Sequence, residues 1–305
     1  MPARNGTIVA GVALSHPDRL LWPASGEGPA ISKLDLARYV EAAAPRILPH
    51  VAGRPLSVIR APAGLAGKSF FQRHAPARAA AGLDRIVVAG QRPFLAARDA
   101  RGLVALVQWG VVELHPWPCA PDQPEVPDQI IFDLDPGQGV GFGAVVAAAG
   151  AVRRRLEALG LTPFVKTTGG RGLHVVVPIL TDARSRVDRD QALGFARAVS
   201  EALRDEAPDR LTTTVAKAAR EGRVFLDYLR NGRMATAVAP WSVRARPGAG
   251  LACPVAWGEL DSGFDPATLN FRTRAAVLAR PDPWADFRQG ATGLRPVLKS
   301  MGLTG

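Results

Sequence analysis

The chain is poor in the residues that build metal clusters and disulfide frameworks. It has 2 cysteines and 5 histidines in 305 residues. Cys119 and Cys253 form no CxxC pair and sit in no His/Cys cluster, which argues against a zinc site. They leave one disulfide open, although such sparse usage fits a reducing compartment. No apolar run reaches the length of a membrane span, and the opening Met-Pro-Ala-Arg-Asn lacks a signal-peptide pattern. The reading is a soluble, cytoplasmic protein with no membrane partner. Acidic residues are also short: 27 against 38 Lys and Arg, a formal charge of +11 and a pI near 10.8. That balance favours a polyanion such as nucleic acid, although an arginine-rich codon usage produces the same excess. Apolar residues make up 47%, enough for a folded core in one large domain or two modest ones.

Short apolar pieces broken by Pro and Gly fill residues 1–30 and read as strand, turn and loop. Ser32 and Asp35 resemble a helix cap, and helical spacing follows until Pro45, which is expected to limit the helix. Residues 61–80 read as a small, glycine-bearing loop around Phe70-Phe71. Leu56–Arg60, Leu103–Trp109 and Val111–His115 read as strands. Pro121–Pro127 is a connector. Beyond it come a strand at Ile130–Asp135, a helix at Phe142–Gly160, strands at Thr162–Lys166 and Leu173–Ile179, a helix at Asp190–Glu206 and a strand at Val224–Leu229. Hairpin-like strand pairs mixed with helices predict an α+β fold. The expected division is a gripping part over 1–120, a core over 121–290 and a tail over 291–305.

Chemistry concentrates in the second half. Asp133 and Asp135 stand one residue apart at the end of an apolar strand, so both project from one face. Two carboxylates so placed can bridge two hard cations. A pair of surface acids beside a turn is the plain alternative. Asp227 has a similar apolar setting and would complete the set, unless it only pairs with Arg230. The segment Thr167–Gly172 offers three glycines, the Thr168 hydroxyl and the Arg171 fork, with His174 just inside the next strand. Such a loop can cradle phosphate. An ordinary hairpin turn is the alternative, and the P-loop pattern is absent. His115 ends a strand. Phe70 and Phe71, followed by Gln72-Arg73-His74, could stack on an exposed base or plug a local core. Arg244 and Arg246 are surface charges or a clamp on a triphosphate.

In their order, these segments resemble the polymerase domain of bacterial ligase D, a branch of the archaeo-eukaryotic primase superfamily. The resemblance rests on His16-Pro-Asp-Arg19, Leu21-Trp-Pro23, Ala52-Gly-Arg-Pro55, Phe70-Phe-Gln72, Glu113-Leu-His-Pro-Trp117 and Phe132-Asp-Leu-Asp-Pro136. It continues through Thr168-Gly-Gly-Arg-Gly-Leu-His174, Asp227-Tyr-Leu-Arg-Asn231 and Ala239–Gly248, and spans roughly residues 8–290. It implies a primase-type core with an RRM-like antiparallel or mixed sheet and a smaller N-terminal α/β module. Asp133, Asp135 and Asp227 would bind two divalent ions, Mn2+ before Mg2+. Thr168, Arg171, His174, Arg230 and Arg244 would hold the triphosphate, and His115 would meet the sugar of a preferred ribonucleotide. Phe70 and Phe71, with Arg60 beside them, would stack on the template. His16, Arg19 and Lys33 would grip a DNA 5′-phosphate, and Arg220 would approach the primer end. The family loop usually reads Ser-Gly-Gly-Lys-Gly, and family members often carry Lys at the Arg19 position; the cations survive here as Arg.

The resemblance implies a template-dependent nucleotidyltransferase in a bacterial cytoplasm, near the nucleoid. It would add NTPs or dNTPs to recessed, gapped or broken DNA ends in double-strand-break repair. No ligase lysine motif or histidine-rich phosphoesterase is recognised, so the expectation is a stand-alone domain meeting Ku and a ligase in trans. Rival readings are a primase that starts strands de novo, and a module that bridges DNA ends without catalysis. A phosphatase with an Asp-x-Asp nucleophile is disfavoured by the late position of the motif.

Overall fold

The computed structural model describes residues 7–26, 28–76, 83–260 and 263–303. Parts of the loops read at residues 1–30 and 61–80, and the end of the tail, lie outside the described residues. The chain divides into two compact units. The first is Met1–Trp117 with Val238–Ala252 and Ala267–Arg280; the second is Pro118–Ala237 with Cys253–Pro266 and Pro281–Gly305. The first break falls near the expected connector, but later segments return to the first unit, so neither unit is contiguous.

The first unit opens with two hairpins, β1 (Ile8–Val9) with β2 (Val12–Ala13) and β3 (Leu20–Trp22) with β4 (Ile31–Ser32). Helix α1 (Lys33–Val51) starts on a complete capping box in which Ser32 and Asp35 bond each other's backbone N–H. It runs through Pro45 and Pro49, where the sequence predicts an end. Each proline removes one helical hydrogen bond. The buried stripe of Ala43, Ala44, Ile47 and Val51 holds the helix across that loss. Strand β5 (Leu56–Arg60) pairs antiparallel with β6 (Phe70–Gln72) and β9 (Val111–Pro116); β7 (Asp84–Ile86) and β8 (Phe94–Ala96) extend the sheet.

Leu103–Trp109, expected as a strand, is mostly helix: α2 spans Ala100–Gln108, capped by the Asp99 carboxylate on Gly102 N–H. Every residue from Gly102 to Val107 is buried, so the segment lacks the polar face that marks a surface helix. The returning residues 238–252 lace the unit together. Ala239 N–H donates to Leu114 O, Leu114 N–H to Ser242 Oγ, and the Tyr39 hydroxyl to Trp241 O.

The second unit is built on β10 (Gln129–Pro136), the long central strand of a six-stranded sheet. Helix α3 (Phe142–Ala158) follows, then β11 (Phe164–Thr167), β12 (Leu173–Pro178), α4 (Arg189–Glu206), β13 (Leu211–Thr212), β14 (Val224–Asp227) and β15 (Pro254–Val255). Sheet order is β13-β14-β10-β12-β11-β15, antiparallel except for β13 beside β14. The α+β expectation holds. Helices α3 and α4 pack on β10 and on each other. Along β10, Ile130, Phe132 and Leu134 are buried on one face, and the other face carries Ile131, Asp133 and Asp135. Ile131 and its partner Val176 join Ala237, Trp284 and Phe287 in an apolar cluster, with Phe164 against it. One step further along that face, apolar side chains give way to acids.

Strand β14 meets β10 from Asp133 onward, which leaves the backbone of Ile131 without a strand on that side. The buried Asn231 carboxamide takes its place. It accepts from Ile131 N–H at 2.8 Å and donates to Ile131 O at 2.7 Å and Tyr228 O at 2.8 Å. Both cysteines are buried, and neither is in a disulfide. No helix among the described residues is long and apolar enough to cross a membrane. Asn231→Ala strands the backbone groups of a buried strand and is expected to cost about 2–4 kcal/mol. Urea unfolding of wild type and variant measures it.

Candidate active site

The register of four neighbouring strands lines up one rung of charge. Lys166 of β11 faces His174 of β12, His174 faces Asp133 of β10, and Asp133 faces Asp227 of β14. Directly opposed residues share a face, so all four side chains project from the same side. All are buried: Lys166 and His174 at 2% exposure, Asp133 at 6% and Asp227 at 7%. Asp135 follows Asp133 on that face, half-buried. The expected trio of carboxylates therefore lies on two adjacent strands of one sheet.

Arg230 ties the acids together. Its Nε donates to Asp133 Oδ2 at 2.9 Å, and its Nη2 lies 3.0 Å from Asp227 Oδ2. The pairing with Asp227 read from the sequence is present, and Asp133 shares it. On the opposite side His174 Nε2 is 3.2 Å from Asp133 Oδ1. Asp133 Oδ1 has no well-aligned donor, and His174 Nδ1, on the other side of the ring, is buried without a hydrogen-bond partner.

Burial tends to raise the carboxyl of Asp133, but His174 and Arg230 outweigh it and hold the group well below the usual range. Asp135 is pushed up to about 6 by burial first and the Asp133 charge second. Asp227 is also raised, by burial and then by Asp133. Burial and the neighbouring Lys166 push His174 down to about 4. Lys166 had no role in the sequence reading beyond opening the glycine segment. Its place in the rung follows from strand register, which no local pattern records.

The glycine loop closes on itself. Thr168 donates from both N–H and hydroxyl to Gly172 O at 3.1 Å. Gly172 must be glycine, because a Cβ there would stand 2.6 Å from Leu134 O and 3.2 Å from Asp135 Oδ1. The exposed Arg171 reaches the turn after the acids, with Nη2 at 3.4 Å from Pro136 O and 3.3 Å from Gly137 O. Gly137 is equally constrained: a Cβ would overlap Arg220 O at 1.6 Å. The Arg220 guanidinium carbon lies over Phe225, 3.7 Å from the ring centroid, and Arg220 donates to Val215 O.

Among the described residues, no three His, Cys, Asp or Glu side chains converge on a metal position in this conformation. The chemistry of the donors nevertheless fits a divalent cation: three carboxylates, one with an orphaned buried oxygen, supply hard ligands. Arg230 provides the positive charge between Asp133 and Asp227.

The remaining predicted residues belong to the first unit. His115 and Arg244 come together on one acid, Glu113, which the sequence reading did not single out. Phe70 and Phe71 are exposed at 37% and 48% on β6. The Arg60 guanidinium lies 3.5 Å from the Trp109 ring and 5.4 Å from Phe70. Phe71 meets His115 edge to face at 5.7 Å. His16 is exposed, with φ +52°, and Arg19 donates to Pro62 O. Lys33, at the start of α1, is buried and donates to Ser15 O and Gln108 O. Burial and then Arg19 push its amine down to about 8. His16, Arg19 and Lys33 thus gather at the amino end of α1, with Lys33 N–H bonded to Arg19 O and Arg19 N–H to His16 O.

A family model described as LigD, primase-polymerase domain, matches residues 32–284. The chain is 38% identical over 284 residues to the multifunctional non-homologous end joining protein LigD of Pseudomonas aeruginosa, covering 91% of this chain and 33% of that one. It is 32% identical over 280 residues to the protein of the same name from Mycolicibacterium smegmatis, covering 90% and 35%. The chain therefore spans about a third of the length of these curated relatives. Among solved structures it is similar to the polymerase domain of Mycobacterium tuberculosis ligase D in complex with DNA, with TM-score 0.81 and 32% identity over 92% of this chain and 99% of that one. With a shared fold and a match over most of its length, the chain belongs to the LigD primase-polymerase domain family, a family of metal-dependent nucleotidyltransferases.

Proposed function

We propose that this chain extends DNA primers on a template, filling gaps and broken ends with nucleotides, ribonucleotides preferred. The observation that carries the reading is the rung joining Asp133 to Asp227, with Asp135 beside it. Three buried or half-buried carboxylates on one sheet face are costly unless a cation uses them. In the proposed reaction the primer 3′-hydroxyl attacks the α-phosphate and pyrophosphate leaves.

Asp133, Asp135 and Asp227 would hold two divalent ions, Mn2+ or Mg2+. When bound, these supply charge neutralisation and a more acidic primer hydroxyl. His174 and Arg171 would orient the phosphates beside the glycine loop, with the Thr168 side chain holding that loop closed. Arg230 pairs with both Asp133 and Asp227 before substrate arrives. Arg244 and His115 would contact triphosphate and sugar. Phe70 and Phe71 offer exposed rings for base stacking beside Arg60, and Arg220 would approach the primer end. His16, Arg19 and Lys33 would receive a 5′-phosphate at the amino end of α1, where helix N–H groups favour an anion. The solved relative in complex with DNA supports a DNA partner. The relatives named for end joining support a place in break repair. Ku and a ligase would be the partners there.

The test is primer extension on a gapped duplex with and without a downstream 5′-phosphate, using NTPs or dNTPs and Mn2+. Extension that depends on the phosphate is expected. Indifference to the phosphate removes the gap assignment, and strand synthesis without any primer favours de novo priming. DNA binding without extension favours an end-bridging module.

Asp133→Asn is expected to lower extension by at least about a hundredfold while leaving DNA affinity within about twofold of wild type. Binding and extension measured on the same protein check this. Asp135 is held up to about 6, so below that pH it carries a proton that a cation must displace. Mn2+ affinity is expected to fall roughly tenfold per unit as pH drops below about 6 and to level off above it. Electron paramagnetic resonance titrations of free Mn2+ at pH 5 to 8 measure that slope.

A further inference from the structure

Among its described residues the first unit buries an acid that the proposed chemistry does not use. Glu113 is 1% exposed on β9, with His115 two residues on and therefore on the same face. Its Oε1 lies 2.7 Å from His115 Nε2, in a hydrogen bond, and 2.8 Å from Arg244 Nε. Its Oε2 accepts Ala245 N–H at 2.7 Å. Burial favours the neutral acid, yet the His115 hydrogen bond and the Arg244 charge outweigh it and keep the carboxylate ionised.

The two partners differ in how their backbones are held. His115 belongs to β9, which is paired along its length with β5. Arg244 belongs to an irregular segment, held by its own N–H on Gly250 O and by the isolated bridge of Val243 with Leu251. Glu113 is the point at which the rigid strand meets the irregular segment. A carboxylate that only needed neutralising would be satisfied by Arg244 alone. Here one oxygen is shared between a histidine and an arginine, so displacing either partner displaces the acid that orients the other.

We propose that Glu113 is a positioning residue: it locks His115 and Arg244 into one unit, so that recognition of the nucleotide sugar and of its phosphates is coupled. This rests on the polymerase reading, in which His115 and Arg244 face the nucleotide. Glu113 touches neither substrate nor metal in that scheme, so it sets nucleotide affinity and sugar choice and leaves the chemical step largely alone. A purely fold-holding role would instead reduce the active fraction, lowering kcat and thermal stability with KM unchanged.

The experiment compares wild type, Glu113→Gln, Glu113→Asp, His115→Ala, Arg244→Ala and the double variant of Glu113→Gln with His115→Ala. Each 305-residue chain is assayed by primer extension with NTP and dNTP, and by equilibrium binding of a fluorescent NTP. Glu113→Gln is expected to raise KM and Kd for NTP about tenfold or more, with kcat within about threefold of wild type. Its NTP-over-dNTP ratio should move to that of His115→Ala, and it should add little in the His115→Ala background.

Glu113→Asp keeps the charge and shortens the reach. It is expected to fold like wild type and show the same KM increase, which keeps the inference testable if the glutamine variant unfolds. Wild-type KM and sugar ratio in a folded Glu113 variant overturn the inference. So do effects that add fully to those of His115→Ala. A wild-type chain that binds nucleotide but never extends a primer sinks the polymerase reading instead; the Kd comparison then decides Glu113 alone.

Discussion

One guanidinium between two buried carboxylates sets the terms for the second unit. Antiparallel pairing places Asp133 opposite Asp227, where like charges repel. Arg230 lies within 3.0 Å of both and removes that repulsion. Its hold on the acids depends in turn on Asn231, the next residue, whose carboxamide fastens the same turn to Ile131. Structure and site are thus secured at one place. The turn that ends β14 is sewn to the central strand by one residue and neutralises its acids with the residue before.

The unequal protonation of the three acids follows from this arrangement. Asp133 sits between His174 and Arg230 and stays ionised. Asp135 has the same burial problem without a direct ion pair, and its carboxyl is raised by the neighbour that is already charged. A sheet face that carries mutually repelling acids is tolerated because the apolar cluster around Ile131, Trp284 and Phe287 secures the same face one step away. Trp284 and Phe287 stack at 4.7 Å, and the Trp284 indole N–H donates to Val165 O of β11.

Much of this was legible because it is periodic or local. The two-residue period of a strand put Asp133 and Asp135 on one face, and the Ser32 and Asp35 pattern marked the start of α1. Hidden features were those set by tertiary packing. Helix α2 is buried at every position from Gly102 to Val107, so Leu103–Val107 shows no polar face and resembles a strand. Pro45 is carried inside α1 by a buried stripe that only the fold reveals. Lys166 and Glu113 are charged residues in apolar strands, and each has a partner that only the fold brings near, His174 for Lys166 and Arg244 for Glu113. The motif order supplied the family, while register supplied the contacts.

The return of residues 238–252 to the first unit carries a consequence for synthesis. When residue 117 leaves the ribosome, Glu113 has His115 but neither Arg244 nor Ala245; Leu114 lacks Ser242, and Tyr39 lacks Trp241. The first unit cannot complete its interior until much of the second has been translated, and its last segment ends at Arg280. Until then nascent chains carry an open first unit, with long-range closures that fold slowly and expose apolar surface meanwhile. A fragment cut at the apparent linker would keep that unit permanently open.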